Sequence, residues 1–92
     1  MIMNRKYIVQ ARIFKAMSDE NRLKILDLLQ ERSYNASELL KEMDFGQSTL
    51  SHHMKILMNA EVIKARKSGK WIIYSLHREA FEQMTEWMNK YL

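Results

Sequence analysis

Apolar residues recur along this chain with the three-to-four-residue spacing of helices, interrupted late by two strand-like runs. Tyr7, Ile8, Ala11, Phe14 and Met17 stand at helical spacing and predict a first helix from about Tyr7 to Met17. Ser18, followed by Asp19 and Glu20, reads as the N-cap of a second helix, because its hydroxyl can accept an orphan backbone N–H and acids suit a helix start. Leu23, Leu26 and Leu29, with Ile25 and Leu28 beside them, give that helix its apolar side. RSYNAS breaks the pattern. Asn35, with Glu38 three residues on, forms a capping-box-like pair ahead of Leu39, Leu40 and Met43, predicting a short third helix.

Asp44-Phe45-Gly46 can turn the chain, and QSTLSHHMKILMNA then places Leu50, Met54 and Leu57 at helical spacing. A short helix, a glycine turn and a second helix is the helix-turn-helix arrangement. VIKARK and KWIIYSL read as two strands around Ser68-Gly69, a pair suited to a hairpin turn. From Arg78 to Tyr91, Phe81, Met84, Met88 and Tyr91 lie on one stripe of a last helix, with Trp87 adjoining. The expected fold is mostly α with a small β-hairpin, in the order α-α-α-α-β-β-α of a winged helix-turn-helix. Residues 1–92 form one domain in this reading, with no repeat or linker.

Bulk composition narrows the chemistry. At 92 residues there is no room for a reading domain plus a separate sensing domain. Hydrophobic residues at 47% with 28% charged suit a folded chain whose core is marginal for a lone monomer. Fifteen bases against 11 acids leave a net charge of +4, which favours a polyanionic partner. Cysteine is missing, and with it disulfides, thiolate metal sites and cysteine nucleophiles. The N-terminus shows no long apolar run before a cleavage site and no segment reaches the length of a membrane span, so a cytoplasmic protein without membrane insertion is expected.

The helix from Gln47 carries the most specific chemistry. At about 100° per residue, Leu50, Met54 and Leu57 share one face, while Ser48, Ser51, His52 and Lys55 gather on the opposite one. Short hydrogen-bonding side chains with one cation can reach base edges in a major groove. Gln47, Ser48 and Thr49 can offer hydroxyls and backbone N–H groups to a phosphate. His52 reads as a contact to DNA and His53 as a partly buried hydrogen-bonding residue. Adjacent positions diverge by about 100° on a helix, so the two do not chelate one ion easily. In the hairpin, Lys64, Arg66, Lys67 and Lys70 fall together without an acid, as a wing touching phosphates or the minor groove would require.

The first and last helices carry more large apolar residues than a small core can cover. Tyr7, Ala11, Phe14, Phe81, Met84, Trp87, Met88 and Tyr91 are therefore read as a dimerisation surface. A two-fold dimer sets two reading helices on the half-sites of a palindromic operator in double-stranded DNA.

Three segments, SDENRLKILDLL, QSTLSHHMKIL and AEVIKARKSGKWIIYSL, resemble the ArsR/SmtB family of bacterial winged-helix repressors. The motif resemblance runs from about Phe14 to Leu76, with Ser48-Thr49-Leu50-Ser51-His52-His53 and then Leu57 as its most specific part. The resemblance implies a homodimeric repressor that leaves its operator when an inducer binds. It also implies where metals would sit, and there this chain departs. Leu40 and Glu42 occupy the cysteine positions of the thiolate box, and Arg78 and Ala80 occupy positions of the zinc-type C-terminal site. The chain is thus similar to the short, metal-independent SdpR-like subgroup, whose last helix also carries a Trp-Met pair, here Trp87-Met88. No metal or cofactor is expected, although His77 with Glu79 and a residue of a second subunit stays open as an unfamiliar site beside His77's reading as a helix cap.

The leading expectation is a sequence-specific transcriptional regulator and repressor, possessing no enzymatic activity, since no triad spacing, phosphate loop or metal motif occurs. The alternative is a winged-helix interaction module that docks a protein through its outer helices and reads no sequence. Any effector, whether metabolite, peptide or partner protein, is expected to change how the two subunits sit.

Overall fold

The computed structural model describes residues 4–92 and contains five helices and three strands. Helix α1 (Arg5–Ala16) starts two residues before the predicted Tyr7, because the Asn4 side chain accepts the Lys6 N–H at 3.0 Å. Asp19, and not Ser18, caps α2 (Glu20–Glu31), its Oδ2 accepting from the backbone of Asn21 at 2.9 Å and of Arg22 at 3.1 Å. A carboxylate takes two orphan donors where a hydroxyl takes one, which decides the competition between neighbours. Ser18 instead donates its hydroxyl to the Lys15 carbonyl at 2.7 Å and closes α1.

Strand β1 (Tyr34–Asn35) has no counterpart in the sequence reading, since two residues carry no periodicity. It leads into α3 (Ala36–Lys41) through the predicted capping box, Glu38 N–H to Asn35 Oδ1 at 2.8 Å and Asn35 N–H to Glu38 Oε1 at 2.9 Å. Met43 falls beyond the end of α3, yet its side chain is buried. Gly46 is the N-cap of helix α4 (Gln47–Asn59), with a φ of −87° that any residue can adopt.

The end of α4 is built with more demand. Glu61 N–H bonds the Met58 carbonyl at 3.0 Å and Val62 N–H bonds the Leu57 carbonyl at 3.3 Å, the two bonds of a Schellman motif. Leu57 and Val62, both fully buried, supply its apolar contact. The residue in the left-handed position is Glu61, at φ 59°, where glycine is usual.

Strands β2 (Ile63–Ser68) and β3 (Trp71–Leu76) form the hairpin, and β1 pairs with the far edge of β3, giving the antiparallel order β1-β3-β2. Ser68 pairs with Trp71, so the two-residue loop is Gly69-Lys70, one position beyond the predicted Ser68-Gly69. Only Gly69 of that pair has positive φ, at 60°, the pattern of a type II′ turn. Helix α5 (Arg78–Asn89) ends two residues short of the expected Tyr91. His77 precedes it without a side-chain cap, its Nδ1 lying 2.9 Å from the Glu61 carbonyl.

The core draws on all of these pieces. Ile25 and Leu29 of α2, Leu39 of α3, Leu50 and Leu57 of α4 and Val62 are fully buried, with Ile13, Tyr34 and Met84 packed around them. Aliphatic residues at helical spacing on four helices thus converge where the helix-turn-helix meets the wing.

Candidate nucleic-acid interface

Burial divides α4 as its sequence does. Leu50, His53, Met54 and Leu57 point into the protein, and Gln47, Ser48, Thr49, Ser51, His52 and Lys55 are all exposed. Four of the exposed residues are within the first five positions of the helix, the end that carries free N–H groups and the positive pole of its dipole.

What holds this helix in place was only half legible. His53 is 7% exposed and hydrogen-bonds through Nδ1 to the Arg22 guanidinium at 3.2 Å. Arginine is donor-only, so Nδ1 accepts and the neutral ring carries its proton on Nε2. Arg22 also donates from Nε to the Ala16 carbonyl at 2.6 Å, tying the end of α1 and the start of α2 to α4. Burial pushes the His53 imidazole below its ordinary pKa, against the pull of the nearby Asp19 carboxylate. At neutral pH the 4.0 Å approach of Asp19 to His53 is therefore a dipolar contact and not an ion pair. The Asp19 carboxyl is held below its usual range chiefly by the Arg22 backbone N–H. The Phe45 ring packs on His53 at 5.3 Å between centroids.

On the wing, Lys64, Arg66, Lys67 and Lys70 are exposed, and none of them, nor Lys55, makes an ion pair among the described residues. Lys64, Arg66 and Ser68 share one face of β2, while Lys67 sits on the other with Ile63 and Ala65. Residues 45–78 hold six of the 15 bases and one of the 11 acids, so this segment carries +5 and the remainder of the chain −1. Positive charge thus gathers on the reading helix, the wing and their junction, and again on α1, whose Arg5, Lys6, Arg12 and Lys15 stand without an acid.

The outer helices meet at an edge-to-face contact of Phe14 and Trp87, with ring centroids 6.3 Å apart. Tyr7, Ala11, Phe14, Met88 and Tyr91 are exposed, and Phe81 and Trp87 are half-buried. Met84 departs from the expected surface, being 6% exposed, because it faces inward from α5 onto the same core as α2 and α4. No group of three or more His, Asp or Glu residues that could hold a metal ion occurs among the described residues. No described helix is long and apolar enough to cross a membrane.

The family profile "Bacterial regulatory protein, arsR family" matches residues 19–65, from the α2 cap to the middle of β2. The chain is 36% identical over 80 residues to the transcriptional repressor SdpR of Bacillus subtilis, covering 87% of this chain and 89% of that protein. It is 42% identical over 74 residues to the arsenical resistance operon repressor of Staphylococcus xylosus, covering 80% and 71% respectively. The solved homodimeric winged helix-turn-helix DNA-binding domain of Mb0332 from Mycobacterium bovis superposes with a TM-score of 0.78 at 23% identity, over 96% of this chain and 84% of that one. These matches favour the regulator reading over a docking module, and the chain belongs to the arsR family of bacterial regulatory proteins, as a winged-helix transcriptional regulator.

Proposed function

We propose that the protein is a homodimeric repressor that binds a palindromic operator in the cytoplasm. The observation that carries this reading is the joining of an exposed polar face on α4 to unpaired wing cations in a segment of net charge +5. Ser51, His52 and Lys55 reach base edges in the major groove, while Gln47, Ser48 and Thr49 hold the phosphates at the helix start. Lys64, Arg66, Lys67 and Lys70 follow the backbone into the adjoining minor groove. SdpR and the arsenical operon protein, both repressors by name, support the sign of the regulation.

Dimerisation is supported by the exposed apolar residues of α1 and α5 and by the homodimeric state of the Mb0332 domain. Pairing through Tyr7, Ala11, Phe14, Phe81, Trp87, Met88 and Tyr91, with Met84 beneath them, buries surface that the small core leaves open. An effector that prefers one arrangement of the subunits shifts operator affinity by changing half-site spacing.

Replacing Ser51, His52 and Lys55 together by alanine tests the reading. All three are exposed, so the melting temperature should hold while binding to a selected operator duplex is lost. Unchanged operator affinity in that variant overturns the assignment of α4.

A further inference from the structure

His53 lies on the buried face of α4 with Leu50, Met54 and Leu57, while the adjacent His52 stands on the exposed reading face. One nitrogen of the His53 ring meets two groups of opposite demand. The Arg22 guanidinium lies 3.2 Å from Nδ1, and Oδ2 of Asp19 lies 4.0 Å from the same atom. A neutral Nδ1 accepts from the arginine and offers nothing to the carboxylate. A protonated Nδ1 donates to the carboxylate and repels the guanidinium.

Arg22 and Asp19 are the charged groups that face the ring from the start of α2, and His52 is its titratable neighbour on α4, with ring centroids 5.8 Å apart. Helix α1 enters through the Ala16 carbonyl, which Arg22 Nε holds at 2.6 Å, and the Phe45 ring covers the imidazole. Exchanging Arg22 for Asp19 closes a 4.0 Å gap to the ~2.8 Å of a charged hydrogen bond, so His53 moves by about 1 Å against α2. Hydrogen bonds from the same helix to base edges tolerate less than that.

We propose that the Arg22–His53 bond is a positioning contact for the reading helix, and that protonation of His53, by passing Nδ1 from Arg22 to Asp19, lowers operator affinity. This inference rests on the DNA-binding reading of the preceding section and adds to it a regulation by acid. Burial holds the ring below its ordinary pKa of 6.5, so the bond to Arg22 stands at neutral pH and the exchange sets in below 6.5. The bound form then carries fewer protons than the free form, and affinity falls with pH. Charge alone gives the opposite sign, since an added proton strengthens the hold on phosphates.

The test uses the full chain and a fluorescein-labelled duplex that the wild type selects from a random pool. Affinity is followed by anisotropy from about pH 7.5 to about pH 5 at constant ionic strength, with far-ultraviolet ellipticity recorded at each step. Wild-type affinity should fall about tenfold or more while the ellipticity holds. His53→Asn retains an acceptor toward Arg22 that takes no proton, and retains His52 and His77, so its affinity should stay level or rise over the same range. Asp19→Asn retains a capping oxygen for α2 but removes the anion, so the fall should move to lower pH. A wild-type profile in either variant, or a fall in affinity that tracks a loss of ellipticity, overturns this inference while leaving the DNA-binding reading intact. A wild type that selects no duplex even at neutral pH overturns both.

Discussion

The Arg22 guanidinium donates to Nδ1 of His53 at 3.2 Å, and through that one bond the cap region of α2 holds the buried face of the reading helix. Because arginine offers only donors, the bond exists while His53 is neutral and is lost when the ring takes a proton. The pH dependence follows. Burial depresses the folded-state pKa below the ordinary value of 6.5, so the unfolded chain takes the proton first as pH falls. The stabilisation is whole above 6.5 and is lost as pH drops from there through the depressed value. The urea midpoint of the wild type should fall between pH 7 and about pH 5.5. Asp19 and Glu38 are both depressed and lose their stabilisation nearer the carboxylate range, leaving this window to the imidazole. In His53→Asn, whose amide oxygen can take the place of Nδ1, the fall in this window should be smaller. Equal slopes in the two proteins refute the role given to His53.

Arg22, on α2, joins three helices through its side-chain bonds to Ala16 and His53. Arg22→Met removes both the bond to Ala16 and the bond to His53, at a cost of about 2–3 kcal/mol for charged donors in a part-buried site. For a domain of this size the melting temperature should drop by roughly 10 °C. Arg22→Lys should recover little, because one ammonium lacks the fork that spans the two acceptors. Full recovery by lysine in a calorimetric scan contradicts the geometry.

Glu61 occupies a left-handed backbone position that costs an L-residue about 1 kcal/mol. Glu61→Gly should therefore raise the melting temperature by a few degrees, with both Schellman bonds kept. Glu61→Ala retains the Cβ and should give no such gain. A stabilised alanine variant assigns the effect to charge and not to backbone strain.

Two methionines on α5 separate core from surface. Met84→Ala should destabilise the fold by about 2–4 kcal/mol, because it empties a buried site. Met88→Glu, at an exposed position on the proposed subunit face, should leave the protomer folded and shift sedimentation from dimer to monomer. Reversal of the two outcomes refutes the division drawn between them.

The elements legible in the sequence are those whose side chains repeat. Leu50, Met54 and Leu57 announced the buried face of α4, and Asn35 with Glu38 announced the start of α3, because spacing alone specifies both. Competition between neighbours was less legible: Ser18 and Asp19 are both good caps, and only the folded backbone shows the carboxylate taking two N–H groups. Tyr34 and Asn35 pair with Tyr74 and Ile73, contacts between distant residues that no local pattern encodes. The same holds for the bond from Arg22 to His53, 31 positions apart. Met84 shows the limit of a helical stripe, which marks a residue as apolar without telling whether its own core or a second subunit covers it.

In the proposed function, α4 and the wing read DNA as parts of one dimer. It is tested most directly by titrating the purified protein onto the duplex upstream of its own coding sequence and onto a scrambled duplex, at two salt concentrations, with the mass of the complex followed. Tight, selective binding of one dimer to the upstream duplex is expected, weakening steeply as salt rises. Equal weak binding to both duplexes, or an affinity indifferent to salt, contradicts it.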